Sequence, residues 1–208
     1  MIEITREIAT KVRDIVDAGL IDGVGVAVPG KMCVEAAVCF ALGLPHGDDP
    51  GCVAPSLRRL KIRLNDSRWS SPSSRSAGLR RLAIAQLGSL NHLDEQEFRD
   101  RVVDVTIRRV VPIGLRAAAR LNPKFSADLE AAAVRCEQEG TREAALEAKS
   151  VARKAYAAAA YAAAAADAAA AARTRDRVLA QYAEWIVEIL IDMNAPGCAY
   201  LDLVPKVA

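Results

Sequence analysis

The feature that most constrains the fold is the stretch from Thr141 to Asp192, which contains neither glycine nor proline. Its central part, residues 155 to 172, reads AYAAAAYAAAAADAAAAA. Alanine has the highest helix propensity of all residues, so this composition predicts helix and not a disordered tail. The pattern leaves open whether one long helix forms or two helices that meet near ARTRDR. The small side chains would let a neighbouring helix backbone approach closely.

The alanine-rich run has the length of a short membrane span, but it is a poor candidate for one. Alanine is only weakly apolar, and Asp167 would bring a charge into the bilayer. The first residues carry a charge every few positions and contain no apolar segment of the kind found in signal peptides. The five cysteines are an odd, scattered set, which is typical of reduced thiols. We therefore expect a cytoplasmic protein with no membrane partner.

The rest of the chain shows shorter helical patterns separated by glycine and proline. Residues 31–42 are apolar nearly all round and predict a central helix. Strand signals are weak everywhere, so we predict an all-α fold. We expect a helical domain over residues 1–140, with a Gly/Pro-rich turn at 43–55. A long Ala-rich helix or helix pair over residues 141–208 would pack on this domain or on another subunit, and a homo-oligomer is expected.

The charge is unevenly distributed along the chain. The formal net charge is +2, yet residues 51–120 hold 14 basic and 6 acidic side chains while both flanks are acidic. Either the flanks neutralise the middle within the fold, or the middle faces an anionic ligand. Arginines can grip phosphates and a tryptophan can stack on a base. The gap between the two basic helices is too long for a helix-turn-helix and contains Pro72, so duplex DNA is an unlikely partner.

A glycine-rich segment precedes the central helix. Residues 25–31, GVAVPGK, have the glycine and lysine spacing of a phosphate-binding loop. Met32 takes the place of the hydroxyl that would hold magnesium, which argues against a nucleotide hydrolase. A glycine-rich approach to a helix N-terminus still predicts an anion site, to which Lys31 would contribute. The alternative is a glycine turn packed under the central helix.

Glu35 is the one charged residue between Met32 and Leu44. A carboxylate on a buried helix must be paired, protonated or placed at a cavity. The next helix offers several arginines, so we predict that Glu35 orients one of them. A purely structural ion pair with an arginine is the alternative.

The turn after the central helix contains His46, which could act as an acid or base. The spacing of Cys33, Cys39, His46 and Cys52 matches no common zinc pattern. We predict no metal, no cofactor and no catalytic residue.

Three sequence runs, MCVEAAVCFALGLPHGDDPGCVAPSLRRLKIRLND, GLRRLAIAQLGS and ILIDMNAPGC, resemble a family of predicted bacterial and phage proteins with Ala-rich helical C-termini. The resemblance covers most of residues 30–140 and the end of the chain. It implies no particular activity or catalytic residue. The Ala-rich tail is also similar to that of some helical toxin-immunity proteins. Together these resemblances imply a role in bacterial or phage conflict, such as immune evasion.

The leading hypothesis is sequestration, without turnover, of a small phosphate-bearing, nucleotide-like ligand. Four arginines would contact phosphates, Trp69 would stack, and Glu35 would fix an arginine. The predicted ligand-binding residues are Lys31, Glu35, His46, Arg58, Arg59, Arg63, Arg68 and Trp69. Two alternatives remain open at this point. One is a helical protein–protein interaction protein; the other is an enzyme that uses Glu35 and His46 in acid–base chemistry.

Overall fold

The computed structural model describes residues 2–159 and 168–206, and their regular structure is helical. The all-α prediction is confirmed. A single isolated antiparallel bridge, Gly25 to Met32, is the only β pairing in the described residues. No helix in these ranges is both long and apolar enough to cross a membrane. The α-helices are α1 (Arg6–Asp17), α2 (Val34–Ala41), α3 (Pro55–Asn65), α4 (Pro72–Ala85), α5 (Glu95–Val105), α6 (Val111–Leu121), α7 (Ser126–Glu139), α8 (Arg142–Ala159) and α9 (Ala168–Asp192).

Helix boundaries follow local capping chemistry. Thr5 caps α1 by accepting a hydrogen bond from the Ile8 amide, and Ser71 caps α4 in the same way before Pro72 at the first helical position. Two 3₁₀ segments, Pro123–Phe125 and Pro196–Leu203, are also found in the part of the chain that the structure describes. Both segments begin with a proline, which lacks a backbone N–H. Proline is tolerated there because an N–H at the start of a helix has no partner within the helix.

The chain forms two compact units. The first contains Met1–Arg99 and Ala170–Ala208, and the second contains Asp100–Ala169. This division differs from the boundary at Gly140 expected from the sequence, because the chain rejoins the first unit at Ala170. Residues 160–167, including Asp167, lie outside the described residues, and so does the question of one helix or two there.

In the first unit, α1 packs on α2 and α4, and α3 packs on α2. The 3₁₀ segment Pro196–Leu203 packs on α1 and α4. Fully buried side chains come from each of these α-helices and from the last turns of α9, among them Val12, Leu57, Leu82 and Ile186. The core therefore covers most of α2, including the side chain of Glu35.

The second unit has a core rich in alanine. Its large buried side chains are Ile107, Leu115 and Leu129, and around them lie the small residues Ala132, Ala133, Cys136, Ala144, Ala148 and Ala155. Small side chains let the axes of packed helices come close. The part of the Ala-rich stretch described here thus serves as a packing surface for α6 and α7.

The helical path from α5 to α6 is continuous through a π-helical turn at Thr106–Val110. The sequence predicts a helix end at Pro112, but the helix continues past it. Proline lacks an N–H and crowds the carbonyl four residues earlier, so a local widening of the turn relieves the conflict.

Arg108, within this π turn, closes the end of α7. Its guanidinium donates to the carbonyl oxygens of Glu137, Gln138 and Glu139 at 2.7, 2.8 and 2.9 Å. Gly140 then ends α7 with a φ of 64°. A cation at a helix C-terminus satisfies the last carbonyls and interacts favourably with the helix dipole.

Candidate functional site

The centre of the first unit is α2, and six of its eight residues are buried. Its N-terminal amides are already satisfied by protein groups. Cys33 is the N-cap and its Sγ accepts from the Ala36 amide, while the Val34 amide donates to Asn65 Oδ1 at 3.3 Å. The helix start predicted to hold an anion is therefore occupied by side chains of the protein itself.

Glu35 enters the core at the second position of α2 and meets Lys61 of α3. The distance from Lys61 Nζ to Glu35 Oε1 is 3.2 Å, and both side chains are 0% exposed. Among the described residues, neither carboxylate oxygen nor Nζ has a hydrogen bond of good geometry. The pair is thus a charge contact without the supporting hydrogen bonds that usually accompany buried ions.

The expectation that Glu35 orients an arginine is wrong, because its ion-pair partner is Lys61. The physical reason lies in the helical register of α3. Lys61 follows Leu57 by four residues and precedes Leu64 by three, so these three residues share the buried face. This register is a sequence signal that could have identified Lys61.

Burial shifts the pKa of both members of the pair towards neutrality. Desolvation raises the pKa of Glu35, against the opposing effects of the Lys61 ammonium and the Arg58 guanidinium. Desolvation likewise lowers the pKa of Lys61, against the attraction of Glu35. In both cases desolvation is the largest cause of the pKa shift, and it favours the neutral form of the group over the charged form.

A narrow cleft of about 50 Å³ lies beside this buried centre, with Glu35 among its lining residues. We call it the Glu35 cleft; its lining includes Glu35, Asp48, Ile62, Asn65 and Asp66. Three of these carry carboxylates, and none of the described residues that line the cleft is basic. A single water needs about 10–15 Å³, so the cleft has room for a few waters or one small polar group.

The loop from Ile21 to Cys33 forms one wall of the cleft and is held in place by hydrogen bonds. The Gly23 amide donates to Asp66 Oδ1 at 3.0 Å, and Asn65 Nδ2 donates to the Ile21 carbonyl at 2.9 Å. His46 Nε2 lies 3.0 Å from the Gly25 carbonyl. His46, predicted to bind ligand, is therefore exposed and contacts this loop.

The GVAVPGK segment makes a turn closed by its own backbone. The Val26 amide donates to the Lys31 carbonyl at 2.8 Å, and the Lys31 amide donates to the Val28 carbonyl at 2.9 Å. A Cβ on Gly25 would lie 2.2 Å from the Lys31 oxygen, so this position requires glycine. These amides are not free to bind a phosphate, and the Lys31 side chain is exposed. The segment is therefore a glycine turn closed on itself, but it is exposed and not packed under the central helix.

The predicted phosphate-binding arginines do not converge. Arg58 pairs with Asp49 at 2.7 Å and is the one arginine close enough to affect the pKa of Glu35. Arg59 and Arg63 are exposed, and they lie away from the buried Lys61 face because of the helical period. Arg68, in the loop after α3, is exposed as well.

Trp69 is a core residue in this fold. Its side chain is 8% exposed, and Nε1 donates to the Leu64 carbonyl at 2.8 Å. Its ring lies directly against Gly78 of α4. An indole packed in this way presents no open face on which a base could stack.

Arg75 belongs to the basic stretch from which the sequence predicts phosphate binding, but in the structure it is buried. It is 8% exposed, and it donates to the carbonyls of Asn65 at 2.8 Å and Leu20 at 3.1 Å. Asn65 is the last residue of α3 and also a wall of the Glu35 cleft. Arg75 therefore fixes the end of α3, and with it the position of Asn65.

The described residues contain no group of three or more His, Cys, Asp or Glu placed to hold a metal ion. All five cysteines are free thiols. Comparisons with protein-family models, with curated proteins and with solved structures found no match to this chain. The resemblance to bacterial and phage proteins therefore stays a prediction.

Proposed function

We propose that this protein binds a small molecule through a cationic group, an ammonium or a guanidinium, which enters the Glu35 cleft. The observation that carries the proposal is the burial of the Glu35 carboxylate without supporting hydrogen bonds. Its carboxylate is fully buried, lacks hydrogen bonds of good geometry from the described residues, and belongs to a residue that lines a cleft. A ligand N–H would supply the missing hydrogen bond.

The charge around the cleft supports a cation in preference to an anion. Glu35, Asp48 and Asp66 contribute three carboxylates, against which the buried ammonium of Lys61 and the nearby guanidinium of Arg58 set two positive charges. Like charges placed around a small volume disfavour a further anion and favour a cation. This reverses the sign of the ligand predicted from the basic middle of the sequence.

The size of the cleft limits what part of a ligand can enter. About 50 Å³ accommodates a methylammonium or guanidinium tip but not a ring system. The remainder of the ligand would stay outside, near the loop from Ile21 to Cys33.

The energetic cost of the pair also favours a functional role. Apolar residues of similar volume often stabilise a core more than a buried ion pair does, and this pair lacks supporting hydrogen bonds. Departures from the locally most stable choice tend to occur at functional sites. Binding alone accounts for these features. The interaction-protein, phosphate-ligand and acid–base enzyme hypotheses remain predictions.

The test is a titration of the full ¹⁵N-labelled chain with methylammonium, methylguanidinium and inorganic phosphate, followed by NMR. The two cations should shift the amides of Val34, Glu35 and Asn65, and phosphate should leave them unchanged. Failure of both cations to move these signals would refute the proposal, as would phosphate binding more tightly at them.

A matched pair of variants separates the cleft from general charge effects. Asp48→Asn removes a carboxylate that lines the cleft and leaves the Glu35–Lys61 pair intact. Asp49→Asn is the control, because Asp49 is the next residue, pairs with Arg58 and does not line the cleft. The first variant should weaken methylguanidinium binding about two- to fivefold, as expected for a partly solvated ion pair, and the second should not. Equal effects of the two would contradict the assignment.

A further inference from the structure

A second and larger cavity lies in the first unit, with a volume of about 440 Å³. We call it the Leu90 cavity. Its apolar walls are Ile2, Ile4, Leu90 and Pro196, and no residue lines both this cavity and the Glu35 cleft. Its volume falls in the range of about 300–1,000 Å³ that is usual for small-molecule sites.

Specific contacts hold the walls of the Leu90 cavity in place. The Tyr200 hydroxyl donates to the Ile4 carbonyl at 2.8 Å, and the Leu90 amide donates to the Cys52 carbonyl at 3.1 Å. Gly88 lets Pro196 approach, since a Cβ there would lie 3.2 Å from the proline Cβ. The cavity is therefore bounded by anchored backbone and is more than a gap between surface side chains.

The rim of the cavity presents three polar side chains, Glu3, Asn91 and His92. All three residues are exposed, and none has a side-chain hydrogen bond or ion pair with the described residues. Asn91 has a φ of 65°, in the left-handed region that non-glycine residues seldom adopt. Glu3 supplies the one carboxylate of the lining, and no lysine or arginine is part of it.

We propose that the Leu90 cavity binds a small organic ammonium compound with a short apolar body. The body lies between the two isoleucines, Leu90 and Pro196, where it is removed from water. The ammonium group pairs with the Glu3 carboxylate, and Asn91 and His92 provide further hydrogen bonds. Such a combination of apolar walls with a few polar groups is characteristic of ligand sites. Both sites take a cationic group, but the Leu90 cavity has room to enclose the apolar body, whereas at the Glu35 cleft the rest of the ligand stays outside.

Three compounds with one apolar body and different head groups test this proposal. The full ¹⁵N-labelled chain is titrated with hexylamine, hexanol and hexanoate, and the amides of Leu90, Asn91 and His92 are followed. Hexylamine should bind about two- to fivefold more tightly than hexanol, and hexanoate should bind most weakly. No shift at these three amides, or equal dissociation constants for the three compounds, would overturn the proposal.

Glu3→Gln should remove the preference for hexylamine over hexanol while leaving hexanol binding intact. Glu3 is exposed, so the variant is expected to fold. Glu7→Gln serves as the control, because Glu7 is also exposed and acidic but pairs with Lys11 and does not line the cavity. An unchanged preference in Glu3→Gln would refute the role of the carboxylate. The outcome is independent of the Glu35 cleft, whose binding is detected at Val34, Glu35 and Asn65.

Discussion

Replacing Lys61 with methionine would leave Glu35 in the core without its partner. The usual pKa of a glutamate is 4.5, and a buried carboxyl group without a counter-charge folds in the protonated form. Taking up that proton at pH 7 costs 1.36 kcal/mol for each pH unit above 4.5, or about 3 kcal/mol. This loss is a large fraction of the total free energy of unfolding of an ordinary domain.

The opposite single variant, Glu35→Leu, isolates the lysine. The usual pKa of a lysine is 10.5, so folding with a neutral amine at pH 7 costs about 5 kcal/mol by the same reasoning. In the double variant Glu35→Leu/Lys61→Met both costs disappear together. We expect its stability to equal or exceed that of the parent, as found when buried ion pairs are replaced by apolar residues.

The pH dependence of the two single variants has opposite signs. In Lys61→Met the folded-state pKa of Glu35 is raised, so the unfolded chain releases a proton that the folded chain keeps. Stability is then highest below pH 4.5 and falls as the pH rises. In Glu35→Leu the folded-state pKa of Lys61 is lowered, the unfolded chain binds the extra proton, and stability rises with pH towards 10.5.

Urea denaturation at pH 5, 7 and 9 measures these effects. Both tryptophans of the chain, Trp69 and Trp185, belong to the first unit, so fluorescence excited selectively in tryptophan reports the unfolding of that unit. The reasoning would be refuted if both single variants cost less than about 1 kcal/mol, the size expected of an exposed pair. It would also be refuted if the two stabilities, each taken as a difference from the parent protein at the same pH, changed with pH in the same direction.

Three further changes test other parts of the structure. Gly78→Ala should lower the melting temperature, because the new Cβ would lie 2.3 Å from the Trp69 ring and overpacking costs about 1–3 kcal/mol. Arg108→Ala should speed amide hydrogen exchange in the last turn of α7 before Gly140, since three carbonyls lose their donor. Burial raises the pKa of Cys39 to about 11, so its thiolate fraction at pH 8 should be about a hundredfold below that of an ordinary thiol. The rate of iodoacetamide labelling, followed by mass spectrometry, should be lower by the same factor.

Much of the helical architecture could be predicted from local patterns. Apolar periodicity predicts α1, near-continuous apolar character predicts the central position of α2, and Gly140 marks the end of α7. Two features escaped this reasoning. Helix continues past Pro112 because a π turn absorbs the conflict, and the chain returns to the first unit at Ala170 through contacts distant in sequence.

The candidate site was only partly predictable. A lone acid in an apolar helix correctly predicts that Glu35 is buried and paired, since a solitary charge there is too costly. Its partner is Lys61 and not the predicted arginine: lysine is usually exposed, and only the register that aligns it with Leu57 marks it as buried. Trp69 could not be placed, because nothing local shows that Gly78 lies against its ring.

The most direct test of the central claim is ¹³C NMR of the Glu35 carboxyl carbon in the full chain. Because desolvation raises the pKa of Glu35, this carbon should titrate above the usual pKa of 4.5. Methylguanidinium should shift its resonance both in the parent protein and in Asp49→Asn. Titration at the usual pKa, together with no response to methylguanidinium, would contradict both the burial of the charge and its role in binding.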